Sequence, residues 1–266
     1  MATARLNGID IHYERDGSGP RLLFVNGSGS TLREAQPMLD ALRPHFDVVA
    51  HDQRGLGKTS APEGPYTMAQ YASDAAAIAE HVGWDRYRVI GVSFGGMVAQ
   101  ELAVTWPERI ERLVLAVTSS GGAGGSSYPL HTLADMSEQE RAALGPLLLD
   151  TRYTPAWLAE HPTDQAIASM MTHRGQTEKS DDTLRGERLQ LEARSGLDVY
   201  DRLPRITCPT LVQSGRYDGI APPENGKAIA AQIPGAEYRE YEAGHALTFL
   251  DPTALPDAIE FLSTSE

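Results

Sequence analysis

Arg88-Val89-Ile90-Gly91-Val92-Ser93-Phe94-Gly95-Gly96 sets a serine between two glycines, directly after one apolar run and directly before another. The pattern G-x-S-x-G is what a sharp strand-to-helix turn requires, because the serine must take strained backbone angles that push its hydroxyl clear of the sheet. Side chains two residues away on either side would collide, so Gly91 and Gly95 are there for steric reasons. The helix that opens after Ser93 aims free amides at any negative charge developing nearby. The chemistry this suits is nucleophilic attack on a polarised carbon.

A serine hydroxyl is a poor nucleophile without a base beside it. Of eight histidines, His245 in Ala243-Gly244-His245-Ala246 follows the last strand-like run, Glu237–Tyr241, in the late loop where such a base belongs. The others, at 12, 45, 51, 81, 131, 161 and 173, mostly fall in polar or surface-looking segments. A carboxylate must then hold the imidazole in its reactive tautomer. Asp218 in Ser214-Gly215-Arg216-Tyr217-Asp218-Gly219 leaves the end of a strand at 210–213, a setting where aspartate otherwise serves as a turn former. The chain order Ser93, Asp218, His245 is the one that accompanies a serine on a strand–helix turn.

The elements that must position these residues alternate along the first half of the chain. Asn7-Gly8 between alternating residues reads as a hairpin turn. Strands are expected at 22–25, 47–52, 86–92 and 112–117, and helices at 67–82 and Phe94–Thr105. That βαβα order argues for an α/β protein with a parallel sheet covered on both faces. From 119 to 198 only helical signals appear: the capping box Ser137-Glu138-Gln139-Glu140, a start at Thr154-Pro155, and a helix at 164–174 stopped by Gly175. A helical block inside an α/β chain reads as an inserted cap. Its side chains Trp157, Met170 and Met171 are expected to pack the cap, with some facing a substrate pocket and setting specificity. Strands resume at 210–213 and Glu237–Tyr241, and a helix around 258–262 closes the chain.

Composition narrows the alternatives. The 266 residues are 41% hydrophobic and 22% charged, enough for a full core in one large domain or a domain with an insertion. A formal charge of −13 repels phosphate backbones and anionic membranes, so neither nucleic acid nor membrane is an expected partner. The start MATARLNGIDIHYERDG lacks a signal-peptide core, and no run approaches a membrane span, so a cytoplasmic enzyme is expected. Cys208 stands alone, which forbids an internal disulfide, and it reads as a buried, inert thiol. No histidine pair has ligand spacing, so no metal site is expected. Gly55-Leu56-Gly57-Lys58-Thr59 ends like a phosphate-binding loop, but the first glycine it needs falls on Asp52. Gly27-Ser28-Gly29 starts like a dinucleotide loop, and its third glycine position holds Leu32.

Three segments together resemble the α/β-hydrolase superfamily, over essentially the whole chain: Gly91-Val92-Ser93-Phe94-Gly95-Gly96, Gly215-Arg216-Tyr217-Asp218-Gly219-Ile220-Ala221-Pro222 and Ala243-Gly244-His245. Asp52-Gln53-Arg54-Gly55-Leu56-Gly57-Lys58-Thr59-Ser60 is similar to a D-x-R-G-x-G-x-S loop of that family, where its role is mainly structural. The likeness is nearest to the small-lid group of enol-lactonase-like proteins, cofactor-free haloperoxidase-like esterases and carbon–carbon bond hydrolases. It implies a mostly parallel sheet of about eight strands flanked by helices, with a core of 1–118 and 199–266, a lid of 119–198, and no cofactor. The family usually carries His-Gly after its third strand, where this chain has Asn26-Gly27. Carried over, the oxyanion donors are the backbone N–H groups of Ser28 and Phe94.

Ser93 sets aside the relatives that use an aspartate nucleophile. Carbon–carbon hydrolases usually carry asparagine before the nucleophile and tryptophan after the histidine, where this chain has Val92 and Ala246. The expected reaction is hydrolysis of a small-molecule carboxylic ester or lactone through an acyl-enzyme. Carbon–carbon cleavage or perhydrolysis on the same residues is the nearer alternative. A non-catalytic small-molecule binding module is the alternative from another class.

Overall fold

Asn7 and Gly8 both take positive φ (49° and 77°), and the chain reverses there between β1 (Ala2–Leu6) and β2 (Ile9–Gly17). Such a turn has the twist that antiparallel strands need. The structure, a computed structural model, describes residues 1–173 and 180–264, with the side chains of 171–173 left aside.

β3 (Arg21–Val25), β4 (Asp47–His51), β5 (Tyr87–Val92), β6 (Ile110–Ala116), β7 (Thr210–Gly215) and β8 (Glu237–Tyr241) complete one eight-stranded sheet. Its order is β1-β2-β4-β3-β5-β6-β7-β8, antiparallel in its first two pairings and parallel in the rest. The central strands read as unbroken apolar runs because both faces are covered. Val89 belongs to the core on one side of the sheet and its neighbour Ile90 to the core on the other.

α1 (Leu32–Leu42) and a terminal helix at Ala254–Ser263 cover one face, while α2 (Met68–His81) and α3 (Phe94–Thr105) cover the other. Between β6 and β7 come α4 (Glu138–Leu149), α5 (Pro155–Glu160), α6 (Pro162–His173) and α7 (Asp181–Ser195). α8 (Pro223–Gln232) joins β7 to β8 on the same face of the sheet as α3; the short α9 (Leu247–Leu250) follows β8, and the terminal helix is α10. Ser137, Thr154 and Ser180 cap α4, α5 and α7, each accepting an N–H from three residues on at 3.2 Å. Gly121 and Asp198 form a single antiparallel bridge where the helical block leaves and rejoins the sheet. Among the described residues no helix is long and apolar enough to cross a membrane.

Several boundaries differ from those the sequence suggests. β6 begins at Ile110, two residues early, because Pro107–Arg109 makes one tight turn and returns the chain at once. α6 starts at Pro162 rather than 164, and Gly175, expected to end it, lies outside the described residues. α10 starts four residues before 258.

Candidate active site

Every parallel strand that carries a candidate residue ends at the same edge of the sheet, which is where open α/β sheets place ligands. β3 leads there into the 26–31 loop, β5 into Ser93, β7 into Asp218 and β8 into His245.

Ser93 has φ 55° and ψ −115°, the strained turn that its glycine neighbours predict. A Cβ on Gly91 would come within 2.8 Å of Gly96 Cα, and one on Gly95 would run into the Val25 carbonyl. The strain is held from several directions. The Ser93 N–H donates to Ala116 O at 2.8 Å, and its carbonyl accepts from Thr118 Oγ1 at 2.8 Å and from Gly96 N at 2.9 Å. Val117, a β-branched residue at φ 48°, marks the point where β6 turns to bring Thr118 across. Fully buried Gln100 ties the Gly96 and Ser119 carbonyls together at 3.1 Å each.

His245 Nε2 lies 2.9 Å from Ser93 Oγ, and its Nδ1 lies 2.7 Å from Asp218 Oδ2. The carboxylate keeps the ring proton on Nδ1, which leaves Nε2 as the acceptor facing the serine hydroxyl. Asp218 Oδ1 accepts from the N–H groups of Ile220 and Ala221, both at 2.8 Å, and the side chain is fully buried. Three donors thus hold the carboxylate in place. The two loops are also bound to each other and to the end of α4. Tyr217 N donates to Ala243 O at 3.0 Å, His245 N to Leu149 O at 2.6 Å, and Thr151 N to Tyr217 O at 2.8 Å.

The 26–31 loop closes on itself through Asn26. Its Oδ1 accepts from Gly27 N at 2.9 Å, its Nδ2 reaches Thr31 O at 3.3 Å, and Gln53 Nε2 holds its carbonyl at 2.9 Å. A Cβ on Gly27 would lie 3.6 Å from Ser93 Cβ, so this loop runs beside the serine. Phe94 is the first residue of α3, and its N–H is one of those a helix cannot satisfy internally. The Asp52 loop is scaffolding. Asp52 accepts from Leu32 N at 2.7 Å and Lys58 N at 2.9 Å, and Arg54 grips Asp74 with two bonds of 2.9 Å.

A cavity of about 270 Å³ opens beside α3, lined by Met97, Ser119, Leu191, Arg194 and Leu197 among others. Met97 N donates to the Ser93 carbonyl at 3.2 Å, so the cavity begins one helical turn from the serine. Its lining includes none of Ser28, Ser93, Phe94, Asp218 and His245, nor the cap side chains singled out in the sequence, so it adjoins the serine turn through Met97. Trp157 donates its indole N–H to Asp164 at 2.8 Å and stacks on His161, while Met170 stands 46% exposed. The side chain of Met171 lies outside the described residues. Two polar residues that the sequence did not announce do reach the site from α7. Gln190 Oε1 accepts from Gly29 N at 2.8 Å, and Arg194 lines the cavity. His12 and His51 are buried rather than at the surface, and burial pulls His51 below the usual histidine range.

A strained serine at the carboxyl edge of such a sheet, reached by a histidine and an aspartate from later strands, is the layout of the α/β-hydrolases. The model of the family described as alpha/beta hydrolase fold matches residues 20–195, and the chain belongs to that family. It is a hydrolase. The chain is 26% identical to 3-oxoadipate enol-lactonase 2 of Acinetobacter baylyi over 97% of its own length and 94% of the relative's. It is 30% identical to the poly(3-hydroxyalkanoate) depolymerase of Ectopseudomonas oleovorans, over 91% and 83% respectively. The crystal structure of the enol-lactonase from Burkholderia xenovorans superposes with a TM-score of 0.81 at 29% identity, covering 99% of this chain and 100% of that one.

Proposed function

We propose that this enzyme hydrolyses a carboxylic ester or lactone of a small molecule through an acyl-enzyme on Ser93. The observation that carries the reading is the hydrogen-bonded chain from Ser93 Oγ through His245 to buried Asp218, at 2.9 and 2.7 Å. Ser93 Oγ attacks the carbonyl carbon as its proton passes to His245 Nε2, and the imidazolium is steadied by Asp218. The carbonyl oxygen becomes an oxyanion between the N–H groups of Ser28 and Phe94. The tetrahedral centre collapses, the C–O bond to the alcohol breaks, and the alkoxide takes the proton from His245. Water then repeats the sequence on the acyl-enzyme and releases the acid. A lactone differs only in that its alcohol stays tethered to the acyl group.

The names of the relatives favour this bond, since an enol-lactone and a polyhydroxyalkanoate are both cleaved between acyl carbon and oxygen. Residues 119–198 act as a lid over a core of 1–118 and 199–266, supported by the Gly121–Asp198 bridge at its base and by the bond from Gly29 to Gln190. The test combines fluorophosphonate labelling, with the adduct located by mass spectrometry, and a panel of short acyl esters, lactones and a carbon–carbon cleavage substrate. Labelling at Ser93 with ester or lactone turnover supports the reading. Labelling elsewhere, or turnover confined to the carbon–carbon substrate, overturns it.

A further inference from the structure

α7 turns two polar side chains inward, Gln190 and Arg194, four residues apart and therefore on one side of the helix. Gln190 holds the loop next to Ser28. Arg194 is only 6% exposed, and among the described residues its Nε, Nη1 and Nη2 have no hydrogen-bond partner. A guanidinium taken out of water is strongly disfavoured unless a counter-charge and acceptors meet it. Arg54, equally buried, shows the ordinary solution in its two-bond grip on Asp74.

Arg194 borders the cavity beside α3, and among the described residues no carboxylate lines that cavity. Asp218 is not its hydrogen-bond partner in the way Asp74 is for Arg54; the Asp218 oxygens accept from His245, Ile220 and Ala221 instead. Burial draws the guanidinium down to about 10, with the Asp218 charge pulling the other way, so Arg194 remains a cation at neutral pH. The result is a cation with unused donors facing an empty space one helical turn from the nucleophile, in a chain whose net charge is −13.

We propose that Arg194 recognises a carboxylate on the substrate, so that the ester or lactone cleaved at Ser93 is one that carries a free acid group. This rests on the acyl-enzyme reading of Ser93. The planar fork of arginine matches a carboxylate with two parallel N–H···O bonds, and such pairs are strong where water is excluded. A neutral analogue of the same shape would leave the buried cation unpaired, which is how a small cavity rejects it. The cavity's volume of about 270 Å³ restricts the acid to a short chain.

The test uses the full-length enzyme with two pairs of esters. p-Nitrophenyl hydrogen glutarate is set against p-nitrophenyl pentanoate, and 4-acetoxybutanoate against its amide, so the carboxylate lies in the acyl part of one pair and the alcohol part of the other. The expected result is a preference for the anionic member of at least one pair. Arg194→Gln should lower that anionic-to-neutral ratio of kcat/KM on the order of 10²-fold. Arg194→Lys, which keeps charge without the fork, should restore part of it and also serves if the glutamine variant does not fold. A ratio that does not move, with both members of each pair slowed together, means that Arg194 acts through Asp218 and overturns the proposal. A second arm titrates glutarate into Ser93→Ala by calorimetry. Binding that disappears when Arg194→Gln is added supports the site; no binding, or binding that survives the change, overturns it. If neither ester pair is hydrolysed while glutarate binding still depends on Arg194, the acyl-enzyme reading fails and the anion site stands.

Discussion

Ser93 keeps a backbone conformation that most residues would relax out of, and the cost is met by Thr118, Gln100 and the glycines around it rather than by the serine. None of those contacts uses the hydroxyl. Ser93→Ala is therefore expected to leave the melting temperature close to wild type while ester hydrolysis falls on the order of 10³-fold or more. Near-normal turnover in that variant would remove Ser93 from the mechanism. Asp218→Asn keeps the shape but no longer fixes the proton on Nδ1 of His245, so turnover should fall roughly 10⁴-fold. Full activity would point to another acid. Cys208 provides a third check at this scale. Burial pushes its thiol up to about 11, so iodoacetamide should leave the native protein unmodified and alkylate one site in denaturant. Fast labelling of the native chain would contradict its place under the sheet.

The candidate residues Ser93, Asp218 and His245 are legible because each stands in a glycine-marked turn at a strand end, in an order that few arrangements share. Gln190 and Arg194 are not. A polar residue on the inward face of a helix looks, in a sequence, like a polar residue on its outward face, and only the fold decides which way it turns. His12 and His51 are misplaced for the converse reason: the polar residues around His12 in β2 and directly after His51 suggest a surface, while the fold buries both side chains.

At the scale of elements, strands and caps could be read and several helices could not. The central strands announce themselves as apolar runs, and Ser137, Thr154 and Thr67 announce helix starts. α1 escapes because Pro37 sits inside it, which argues against a helix until the Thr31–Glu34 capping box is seen to hold its start. α7 escapes because its buried side includes Gly186, Gln190 and Arg194, so no apolar stripe marks it. β8 is an edge strand, and its Glu240 ties it to neighbouring elements through Lys227 on α8 and Arg216 after β7. Those partners, Lys227 first, hold the Glu240 carboxyl down to about 2, below its ordinary 4.5. Because the folded value is the lower one, the stabilisation is complete above about 4.5 and is lost as pH falls toward about 2. Glu240→Gln is expected to lower the melting temperature by about 2 °C near neutral pH, as suits a partly exposed ion-pair network. The gap between variant and wild type should narrow as the pH is taken into the acid range. A gap that stays constant would mean that packing, not charge, explains the loss.

Over the whole molecule, the helical block between β6 and β7 touches the 26–31 loop and the loops that carry Asp218 and His245. Gln190 holds Gly29, Leu149 O receives His245 N, Thr151 N donates to Tyr217 O, and Tyr128 N donates to Ile220 O at 2.7 Å. A lid that only selected substrates would not need to hydrogen-bond the backbones beside the acid and the base. The joint that makes this contact is the end of α4. The Asp150 carboxylate there is fully buried and pairs with Arg152 at 2.7 Å, and the Arg152 guanidinium lies 3.9 Å over the Tyr217 ring, next to Asp218. Asp150→Ala removes the charge that orients Arg152 and loosens the segment whose backbone holds both loops. Small displacements of reacting groups are costly, so kcat for a reactive small ester should fall on the order of 10-fold to 10²-fold, with a smaller change in KM. The loss should be similar for esters of different acyl length, because what is disturbed is the distance from His245 to Ser93 and not the shape of the cavity. Steady-state kinetics on three or more esters, with the melting temperature as a check on folding, decides the matter. Unchanged kcat, or a change only in the ratio between esters, would make the block a selector that rests on the site without bracing it.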